Sequence, residues 1–343
     1  MRQQLRLETN VDLQPLNTLA IAARAAYFVR VESLEQLREA LAFAQEKKLP
    51  ILPLGGGSNI VLTSDYPGLV IHMALRGVSL EKDSCGTRLC AAAGENWHHL
   101  VMHTVKQGIG GLENLALIPG SMGAAPIQNI GAYGVELRDT FECLQAVHIA
   151  TGELREFPAA DCQFGYRDSV FKRAARDRYI ITRVSLFLPN DWRPKLDYPA
   201  LERHLAERGV QTGELRPADV ARAVIEIRNS KLPSPDDIPN VGSFFKNPVV
   251  GADFYQNLKK SYPDLVAFPS GDGWKLAAGW LIDRAGWRGV RRNSVGVHDR
   301  QALVLVNPGG GCGAEVTSLA EEIAADIRAK FGVDLEPEPR YYP

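Results

Sequence analysis

Residues 50–62, Pro-Ile-Leu-Pro-Leu-Gly-Gly-Gly-Ser-Asn-Ile-Val-Leu, place a run of glycines between two apolar segments. Short apolar runs predict strands, and consecutive glycines present backbone N–H groups without obstruction by a Cβ atom. A concave run of such N–H groups binds phosphate or pyrophosphate oxygens. A tight turn is the alternative interpretation of Gly55–Asn59. Because Ile60–Leu62 predicts a strand and not a helix, the run is neither a Rossmann fingerprint nor a P-loop.

A strand, a helix and a second strand are predicted on the N-terminal side of these glycines. Tyr27–Val31 predicts the first strand, and Ser33 is placed to cap a helix while Gln36 reaches back toward the cap. Apolar residues at helical spacing follow over residues 34–44, and Pro50–Leu54 predicts the second strand. The segment is therefore predicted to form a βαβ unit.

A second glycine-rich stretch runs from Gly108 to Gly134 and contains seven glycines. Flexible linkers are polar, whereas this stretch carries many Leu and Ile residues, so we expect it to be packed. Close approach to a flat, bulky ligand would explain both the glycines and the packing, and an irregular core crossover is the alternative. The preceding residues, Asn96–Gln107, predict an amphipathic helix that ends at Gly108.

A domain boundary is predicted after the helix that starts at Pro217. Three prolines between Lys231 and Pro239 can continue neither a helix nor a central strand. The next segment, residues 241–308, carries its own helix and a strand at Ala302–Val306, and a final helix precedes a short tail from Leu335 to Tyr342.

Length and charge exclude several classes of protein. A chain of 343 residues predicts about two domains. With 39 Lys and Arg against 40 Asp and Glu, it has no basic excess for a nucleic acid or an anionic membrane. The polar N-terminus lacks a signal-peptide core, and no stretch approaches ~18 apolar residues. Five scattered cysteines without a CxxC pair suit a reducing compartment, so we expect a cytoplasmic protein.

Three polar clusters could carry chemistry. Phe164–Ser169 contains Arg167, whose guanidinium can fork two hydrogen bonds onto a carboxylate, although surface arginines are common. Gly242–Asn247 contains Ser243, which lacks a hydrolase elbow but could donate a proton. The tail contains Glu338 between two prolines, and a solvated acidic terminus is the favoured interpretation of the tail alone.

A metal site is not expected. His99 and His103 have helical i, i+4 spacing, but no third ligand follows at a recognisable distance. We interpret both histidines as facing solvent.

Seven motifs, each weak alone, occur in one order over nearly the whole chain. They are Asn17–Leu19, Leu54–Ile60, Ile118–Gly134, Phe164–Ser169, Gly242–Pro248, Lys275–Asp283 and Leu335–Glu338. Together they resemble the UDP-N-acetylenolpyruvoylglucosamine reductase family. Asp197-Tyr198 resembles the longer type of that family, in which a tyrosine loop closes over substrate. Phe268, Ala124 and Pro339 depart from the residues usual there.

The resemblance implies an α+β fold. It has a two-subdomain FAD-binding region of the vanillyl-alcohol-oxidase type, also called the PCMH type, and a smaller α+β substrate-binding domain. The implied boundaries are 1–75 and 76–232 for the FAD-binding subdomains, 233–328 for the substrate domain, and 329–343 for a tail that returns to the active site.

The same resemblance implies the reaction, in which NADPH reduces FAD and the flavin then reduces UDP-N-acetylglucosamine enolpyruvate to UDP-N-acetylmuramate for peptidoglycan synthesis. Hydride passes from flavin N5 to the vinyl carbon, Arg167 and a protonated Glu338 stabilise charge on the carboxylate, and Ser243 supplies the proton. The implied FAD-binding residues are Gly55, Gly56, Gly57, Ser58, Asn59, Ser121, Gly123, Ala124, Ile127 and Ile181. The implied substrate-binding residues are Tyr166, Tyr198, Lys231, Asn247 and Gln301.

Two other functions stay open at this stage. A related FAD oxidase would share the flavin domain, although it often tethers flavin through a histidine that the Gly55–Asn59 loop lacks. A nucleotide-binding module without catalysis would need none of the three polar clusters. The partner expected in either case is a small molecule, and we expect a monomer that binds neither nucleic acid nor membrane.

Overall fold

The computed structural model describes residues 5–209 and 215–343. The chain divides into two units, each assembled from separated parts of the sequence. Unit 1 comprises Met1–Val11, Ala25–Gly56 and Pro67–Ser230, and unit 2 comprises Asp12–Arg24, Gly57–Tyr66 and Lys231–Pro343. The predicted division of residues 1–232 into two subdomains stays a prediction.

Both units contain helices and strands. The helices are α1 (Leu34–Lys47), α2 (Trp97–Lys106), α3 (Ala159–Cys162), α4 (Pro199–Glu207), α5 (Pro217–Lys231), α6 (Ala252–Ser261), α7 (Ala278–Arg284) and α8 (Gly313–Phe331). The first strands are β1 (Leu7–Asp12), β2 (Arg24–Val31), β3 (Ile51–Leu54), β4 (Ile60–Leu62), β5 (Tyr66–Met73), β6 (Val78–Lys82), β7 (Gly86–Ala92), β8 (Gly131–Ala132), β9 (Val135–Glu136) and β10 (Phe141–His148). The remaining strands are β11 (Leu154–Pro158), β12 (Tyr179–Pro189), β13 (Asn240–Ser243), β14 (Val249–Gly251), β15 (Ala267–Ser270), β16 (Gly273–Leu276), β17 (Arg291–Arg292), β18 (Val295–Val297), β19 (Val304–Val306) and β20 (Arg340–Tyr342).

Unit 1 is built mainly on two sheets. The first has the strand order β1-β2-β5-β3, with β3 parallel to β5, and the second has the order β11-β10-β12-β7-β6 with antiparallel neighbours. Buried Val, Leu, Ile and Ala side chains from these strands form the core together with α1 and α2. Unit 2 holds the sheets β13-β19-β18-β17 and β14-β16-β15 and the pair β20-β4.

The predicted elements before the first glycine run are confirmed, with one correction at the helix cap. Ser33 Oγ accepts a hydrogen bond of 3.2 Å from the backbone N–H of Gln36, as predicted for the first residue before α1. The Gln36 side chain, however, accepts from the backbone N–H of Glu32 at 2.7 Å and not from Ser33.

The glycine-rich stretch from Gly108 to Gly134 is packed, as its composition predicts. Leu112, Leu115 and Met122 have no exposed surface, and Trp97 Nε1 donates a hydrogen bond of 3.0 Å to the Leu115 carbonyl. The stretch is therefore part of the core of unit 1 and not a linker.

Two predictions near the C-terminus are wrong. The tail is not a solvated terminus, because β20 pairs in parallel with β4 and the Tyr342 carbonyl accepts a hydrogen bond of 2.7 Å from Thr63 N. The strand predicted at Ala302–Val306 begins only at Val304, because Val304 N closes a turn by donating to the Gln301 carbonyl at 3.0 Å. Within residues 5–209 and 215–343, no helix combines the length and the apolar character needed to cross a membrane.

Candidate active site

Arg167 stands at the corner of a tight turn in unit 1. Gly165 N donates to the Asp168 carbonyl at 3.0 Å, and Asp168 N donates back to the Gly165 carbonyl at 3.3 Å. Tyr166 and Arg167 therefore form the tip of the turn, with the Arg167 guanidinium 5.7 Å from the centre of the Tyr166 ring. Arg167 has φ +52°, a left-handed conformation that residues with a side chain seldom adopt. Such strain persists only where the surrounding structure enforces it.

The segment 127–131 enforces this conformation through three hydrogen bonds. Arg167 Nη2 donates to the Gly131 carbonyl at 2.7 Å, and Ser169 Oγ donates to the Ile127 carbonyl at 2.6 Å. Asn129 Nδ2 donates to the Gly165 carbonyl at 3.0 Å. The Phe164–Ser169 motif and the end of the Ile118–Gly134 motif thus form one structure.

Asn129 is a residue that sequence reasoning missed. It is fully buried, with φ +43°, and its Nδ2 also donates to Glu136 Oε2 at 2.9 Å. Its Oδ1 accepts from Arg138 N at 3.0 Å. Asparagine tolerates left-handed backbone better than most residues, and an Asn at a turn could have been the signal. It fixes the turn that carries Arg167.

Ser243 ends strand β13 in unit 2. The pairing of β13 with β19 is irregular between Asn240 and Ser243, where two residues on β13 lie opposite one on β19. Gly242 takes φ +71° there, and its N–H donates to Asn240 Oδ1 at 2.8 Å. A bulge of this kind changes the direction of the side chain that follows it, and Gly242 allows the backbone conformation that the bulge before Ser243 requires.

The backbone of Glu338 pairs with the residues that follow Ser243 in unit 2. Glu338 N donates to the Phe244 carbonyl at 2.8 Å, and Lys246 N donates to the Glu336 carbonyl at 2.9 Å. The tail therefore pairs with the residues directly after Ser243. Phe244 itself is fully buried, which anchors this pairing in the core of unit 2. Two of the three predicted catalytic residues are thereby neighbours, and Arg167 belongs to unit 1.

The tail also meets the first glycine run within unit 2. Asn59 Nδ2 donates to the Glu338 carbonyl at 3.3 Å, and Arg340 N donates to the Asn59 carbonyl at 3.0 Å. Gly57 has φ +61°, and a Cβ there would stand 2.0 Å from the Leu16 carbonyl oxygen. Only glycine fits this position, and Ser58 and Asn59 follow it half-buried.

Gly55 and Gly56, in the unit 1 half of the run, and Gly123 lie so close to neighbouring segments that a Cβ atom has no room. A Cβ at Gly55 would stand 2.3 Å from Ser121 Oγ, and one at Gly56 would stand 3.2 Å from the Gly120 Cα. A Cβ at Gly123 would stand 2.6 Å from the Ala93 Cβ. These segments can approach one another this closely only because the three glycines carry no side chain.

These residues fit the pyrophosphate of a dinucleotide. Gly56 is exposed, and its N–H donates to no group among the described residues. Exposed N–H groups on glycine-lined loops are the donors that phosphate oxygens take. Ala124 and Ile127 are also exposed, whereas Ile181 is buried in β12.

The predicted substrate-binding residues lie in both units. In unit 1, the Tyr198 ring packs edge-on against Tyr133 at 5.1 Å, and Tyr198 is 41% exposed. In unit 2, Asn247 Oδ1 accepts from Ala278 N at 2.9 Å, so Asn247 also caps the start of α7. Gln301 is half-buried and Lys231, at the end of α5, is exposed. Among the residues that the structure describes, no cluster of His, Cys, Asp and Glu side chains could hold a metal.

Two family models match the chain. An FAD binding domain matches residues 25–157, and the C-terminal domain of UDP-N-acetylenolpyruvoylglucosamine reductase matches residues 233–342. The UDP-N-acetylenolpyruvoylglucosamine reductase of Pseudomonas putida is 50% identical over 338 residues, which is 98% of each chain. That of Pseudomonas aeruginosa is 49% identical over 340 residues, covering 98% of this chain and 99% of the other.

A solved structure has the same fold over the full length. The UDP-N-acetylenolpyruvylglucosamine reductase (MurB) of Thermus caldophilus superposes with a TM-score of 0.69 at 25% identity, covering 99% of this chain and 100% of that chain. The predicted α+β fold with an FAD-binding domain is thereby confirmed. The class of protein is an FAD-dependent oxidoreductase. Within that class, the chain belongs to the UDP-N-acetylenolpyruvoylglucosamine reductase family.

Proposed function

We propose that the chain reduces UDP-N-acetylglucosamine enolpyruvate to UDP-N-acetylmuramate with NADPH, as a cytoplasmic monomer that serves peptidoglycan precursor synthesis. The family supplies the reaction class. The observation that supports the assignment is the pairing of the tail with residues 244–246, because it brings the backbone of Glu338 close to the segment that carries Ser243.

The glycine loops would hold the cofactor. Gly55, Gly56, Gly57, Ser58 and Asn59 would bind its pyrophosphate. Ser121, Gly123, Ala124, Ile127 and Ile181 would complete the binding segment. When bound, FAD supplies the redox chemistry, taking hydride from NADPH and releasing it from flavin N5 to the vinyl carbon of the substrate.

Arg167 and Glu338 bind the substrate carboxylate. Hydride addition to the vinyl carbon moves negative charge into that carboxylate, so groups aimed at its oxygens lower the barrier. Arg167 can fork two hydrogen bonds onto the oxygens, and Glu338 in its protonated form donates a third. The enforced turn at Arg167 supports this role, because a pre-positioned guanidinium needs no reorganisation as charge develops.

Ser243 donates the proton that completes the reduction. The proton goes to the carbon next to the carboxylate and sets the configuration of the lactyl ether. A positioned proton donor contributes about 10²–10⁴ in rate. Tyr166, Tyr198, Lys231, Asn247 and Gln301 bind the rest of the substrate, with Lys231 opposing the diphosphate charge.

The test is product identification with the FAD-reconstituted protein. NADPH oxidation should require UDP-N-acetylglucosamine enolpyruvate, and mass spectrometry should show a product heavier than the substrate by two hydrogen atoms. NADPH consumption matched by hydrogen peroxide without the enolpyruvyl substrate would indicate an oxidase instead. The absence of turnover in every mixture would indicate a nucleotide-binding module without catalysis.

A further inference from the structure

Asn114 is a buried amide that holds two separate segments of unit 1. It lies in the short 3-10 helical turn Glu113–Leu115 and has 1% of its surface exposed. Its Nδ2 donates a hydrogen bond of 2.8 Å to the Tyr133 carbonyl and another of 2.8 Å to the Lys195 carbonyl. The Oδ1 atom is buried without a hydrogen-bond partner in the described part of the chain. Because an unmet buried acceptor costs stability, Asn114 contributes through its nitrogen.

The first segment that Asn114 holds is the hairpin turn between β8 and β9. Tyr133 and Gly134 form this turn, and both have positive φ, +49° and +82°. The favoured two-residue hairpin turns use this conformation, but a tyrosine seldom adopts it. Strain of this kind persists only where neighbouring groups enforce it, and the bond from Asn114 to the Tyr133 carbonyl helps to do so.

The second segment is the tyrosine loop, defined as residues 190–198 between β12 and α4. Lys195, whose carbonyl accepts from Asn114, lies shortly before Tyr198 in this loop. The Tyr198 ring packs edge-on against the Tyr133 ring, with the ring centres 5.1 Å apart. One amide nitrogen therefore holds the backbone on both sides of this ring contact.

Glu113, the residue before Asn114, attaches the tyrosine loop at a second point. Trp192 Nε1 donates to Glu113 Oε1 at 2.8 Å, and Gly111 N donates to Glu113 Oε2 at 2.6 Å. Glu113 is 2% exposed, and hydrogen bonds to a carboxylate are stronger than those between neutral groups. A Cβ at Gly110 would stand 2.3 Å from the Trp192 indole, so a glycine there leaves room for the ring. Two neighbouring residues thus attach the loop at two places.

We propose that Asn114 is a positioning residue that holds Tyr198 in place for the nucleotide-sugar substrate, with the bond between Trp192 and Glu113 as the second attachment. The inference rests on the proposed function, because the binding role of Tyr198 comes from it. Tyr198 is 41% exposed, so a ligand can cover its ring while the backbone attachments fix its position. A loop that is already held in the binding conformation adds little ordering cost to binding.

The experiment is anaerobic reoxidation of the NADPH-reduced FAD holoenzyme by increasing concentrations of UDP-N-acetylglucosamine enolpyruvate. The concentration dependence gives an apparent Kd and a limiting rate separately. Asn114→Leu removes the donor at similar volume, and Trp192→Phe keeps an aromatic ring but lacks the N–H. Each is also combined with Tyr198→Ala. Trp287→Phe is the matched control in unit 2, because Trp287 Nε1 donates a bond of the same length, 2.8 Å, to Asp326 Oδ2.

Asn114→Leu and Trp192→Phe should each raise the apparent Kd by about tenfold, the factor expected when a buried acceptor loses its donor. The limiting rate and the rate of bleaching by NADPH should stay within about twofold of wild type, because the reacting groups are not changed. In the Tyr198→Ala background, either change should raise the apparent Kd by less than about twofold more, since the residue through which it acts is absent. Trp287→Phe should leave the apparent Kd at the wild-type value.

If Asn114→Leu raises the apparent Kd by the same factor with and without Tyr198, its role is general support of the fold and the proposal is overturned. An unchanged or lower apparent Kd in either single variant would also overturn it, as would equal slowing of both half-reactions. Should Asn114→Leu fail to fold, Trp192→Phe alone and with Tyr198→Ala decides the question.

The wild type separates this inference from the proposed function. If the enolpyruvyl compound does not reoxidise the wild-type holoenzyme, the proposed function fails and this inference fails with it. Normal reoxidation of the wild type together with insensitive Asn114→Leu and Trp192→Phe variants refutes only this inference.

Discussion

The backbone N–H of Glu338 donates a 2.8 Å hydrogen bond to the carbonyl of Phe244. This bond aligns the tail antiparallel to the residues that follow Ser243, with an isolated bridge between Phe245 and Pro337 in the same alignment. Parallel pairing of β20 with β4 then holds the rest of the tail. The backbone of Glu338 is therefore held on both sides along the chain, although it belongs to a terminal segment.

Ser243→Ala should separate the two half-reactions. Flavin bleaching by NADPH should stay near the wild-type rate, because the proton donor takes no part in it. Reoxidation by the enolpyruvyl substrate should slow by about 10²–10⁴. Anaerobic single-turnover absorbance measures both steps, and Ser243→Cys should resemble the alanine variant. Ser261→Ala, on the exposed end of α6, is the control. Equal slowing of both steps would assign Ser243 to cofactor binding.

Asn129→Ala should impair substrate turnover through Arg167. The change leaves the Gly165 carbonyl without its Asn129 donor and places alanine at φ +43°, so we expect unfolding to become easier by about 2–3 kcal/mol. Reoxidation by the enolpyruvyl substrate should slow more than NADPH bleaching, because the Arg167 turn loosens.

Ser33→Ala is the matched stability control for Asn129→Ala. It removes the cap of α1, which costs about 1 kcal/mol, and should leave the ratio of the two half-reactions unchanged. Should Asn129→Ala alter both half-reactions by the same factor, its role would be structural only.

Gly123→Ala should weaken FAD retention. The added Cβ would meet the Ala93 Cβ at 2.6 Å, a contact that the packed backbone can relieve only by shifting. Overpacking of this kind costs about 1–3 kcal/mol, and the shift would reach the predicted cofactor loop. Gly251→Ala is the control, because nothing lies within 4 Å of its added Cβ. The measurements are FAD content after purification and FAD titration of the apoprotein. If Gly123→Ala retains as much FAD as the wild type, the proposed role of this loop in FAD binding is contradicted.

Glu142→Gln should destabilise the protein at neutral pH and not in acid. Arg88 forks onto Glu142 at 2.6 and 2.7 Å, and this hydrogen bonding lowers the pKa of Glu142 below its ordinary 4.5. A lowered folded-state pKa adds stability above the unfolded value, and that stability is lost as the pH falls through the folded value. Both side chains are partly exposed, so about 1 kcal/mol is expected at pH 7.

The measurement for Glu142→Gln is the melting temperature at pH 7 and well below pH 4.5. The difference from wild type should be present at pH 7 and close toward zero in acid. Glu8→Gln, at an exposed position, should show no difference at either pH. If the melting temperature of Glu142→Gln stays equally far below that of the wild type in acid, the loss of stability comes from packing and not from the charge of Glu142.

Local patterns predicted most of the elements in the fold. Ser33, the leucines of α1 and the helix before Gly108 are recognisable because their signals lie within a few residues of each other. The tail strand β20 was missed because its partner β4 lies far away in sequence; Thr63, directly after β4, lies 279 residues before its hydrogen-bond partner Tyr342. Pairing across such a separation leaves no local pattern in either segment.

The candidate site was predicted by resemblance and only partly by chemistry. Arg167, Ser243 and Glu338 are each ordinary residues in their own segments, and the structure brings Ser243 and Glu338 together in unit 2. Asn129 was missed, because burial of a single polar residue depends on neighbours far away in sequence.

Stopped-flow flavin absorbance of the wild-type holoenzyme, with NADPH and the enolpyruvyl substrate added in separate anaerobic mixings, tests the central claim most directly. The account predicts rapid bleaching by NADPH, then rapid return of colour with UDP-N-acetylglucosamine enolpyruvate and only slow return with air. Colour that returns rapidly with oxygen but not with the enolpyruvyl compound would contradict it.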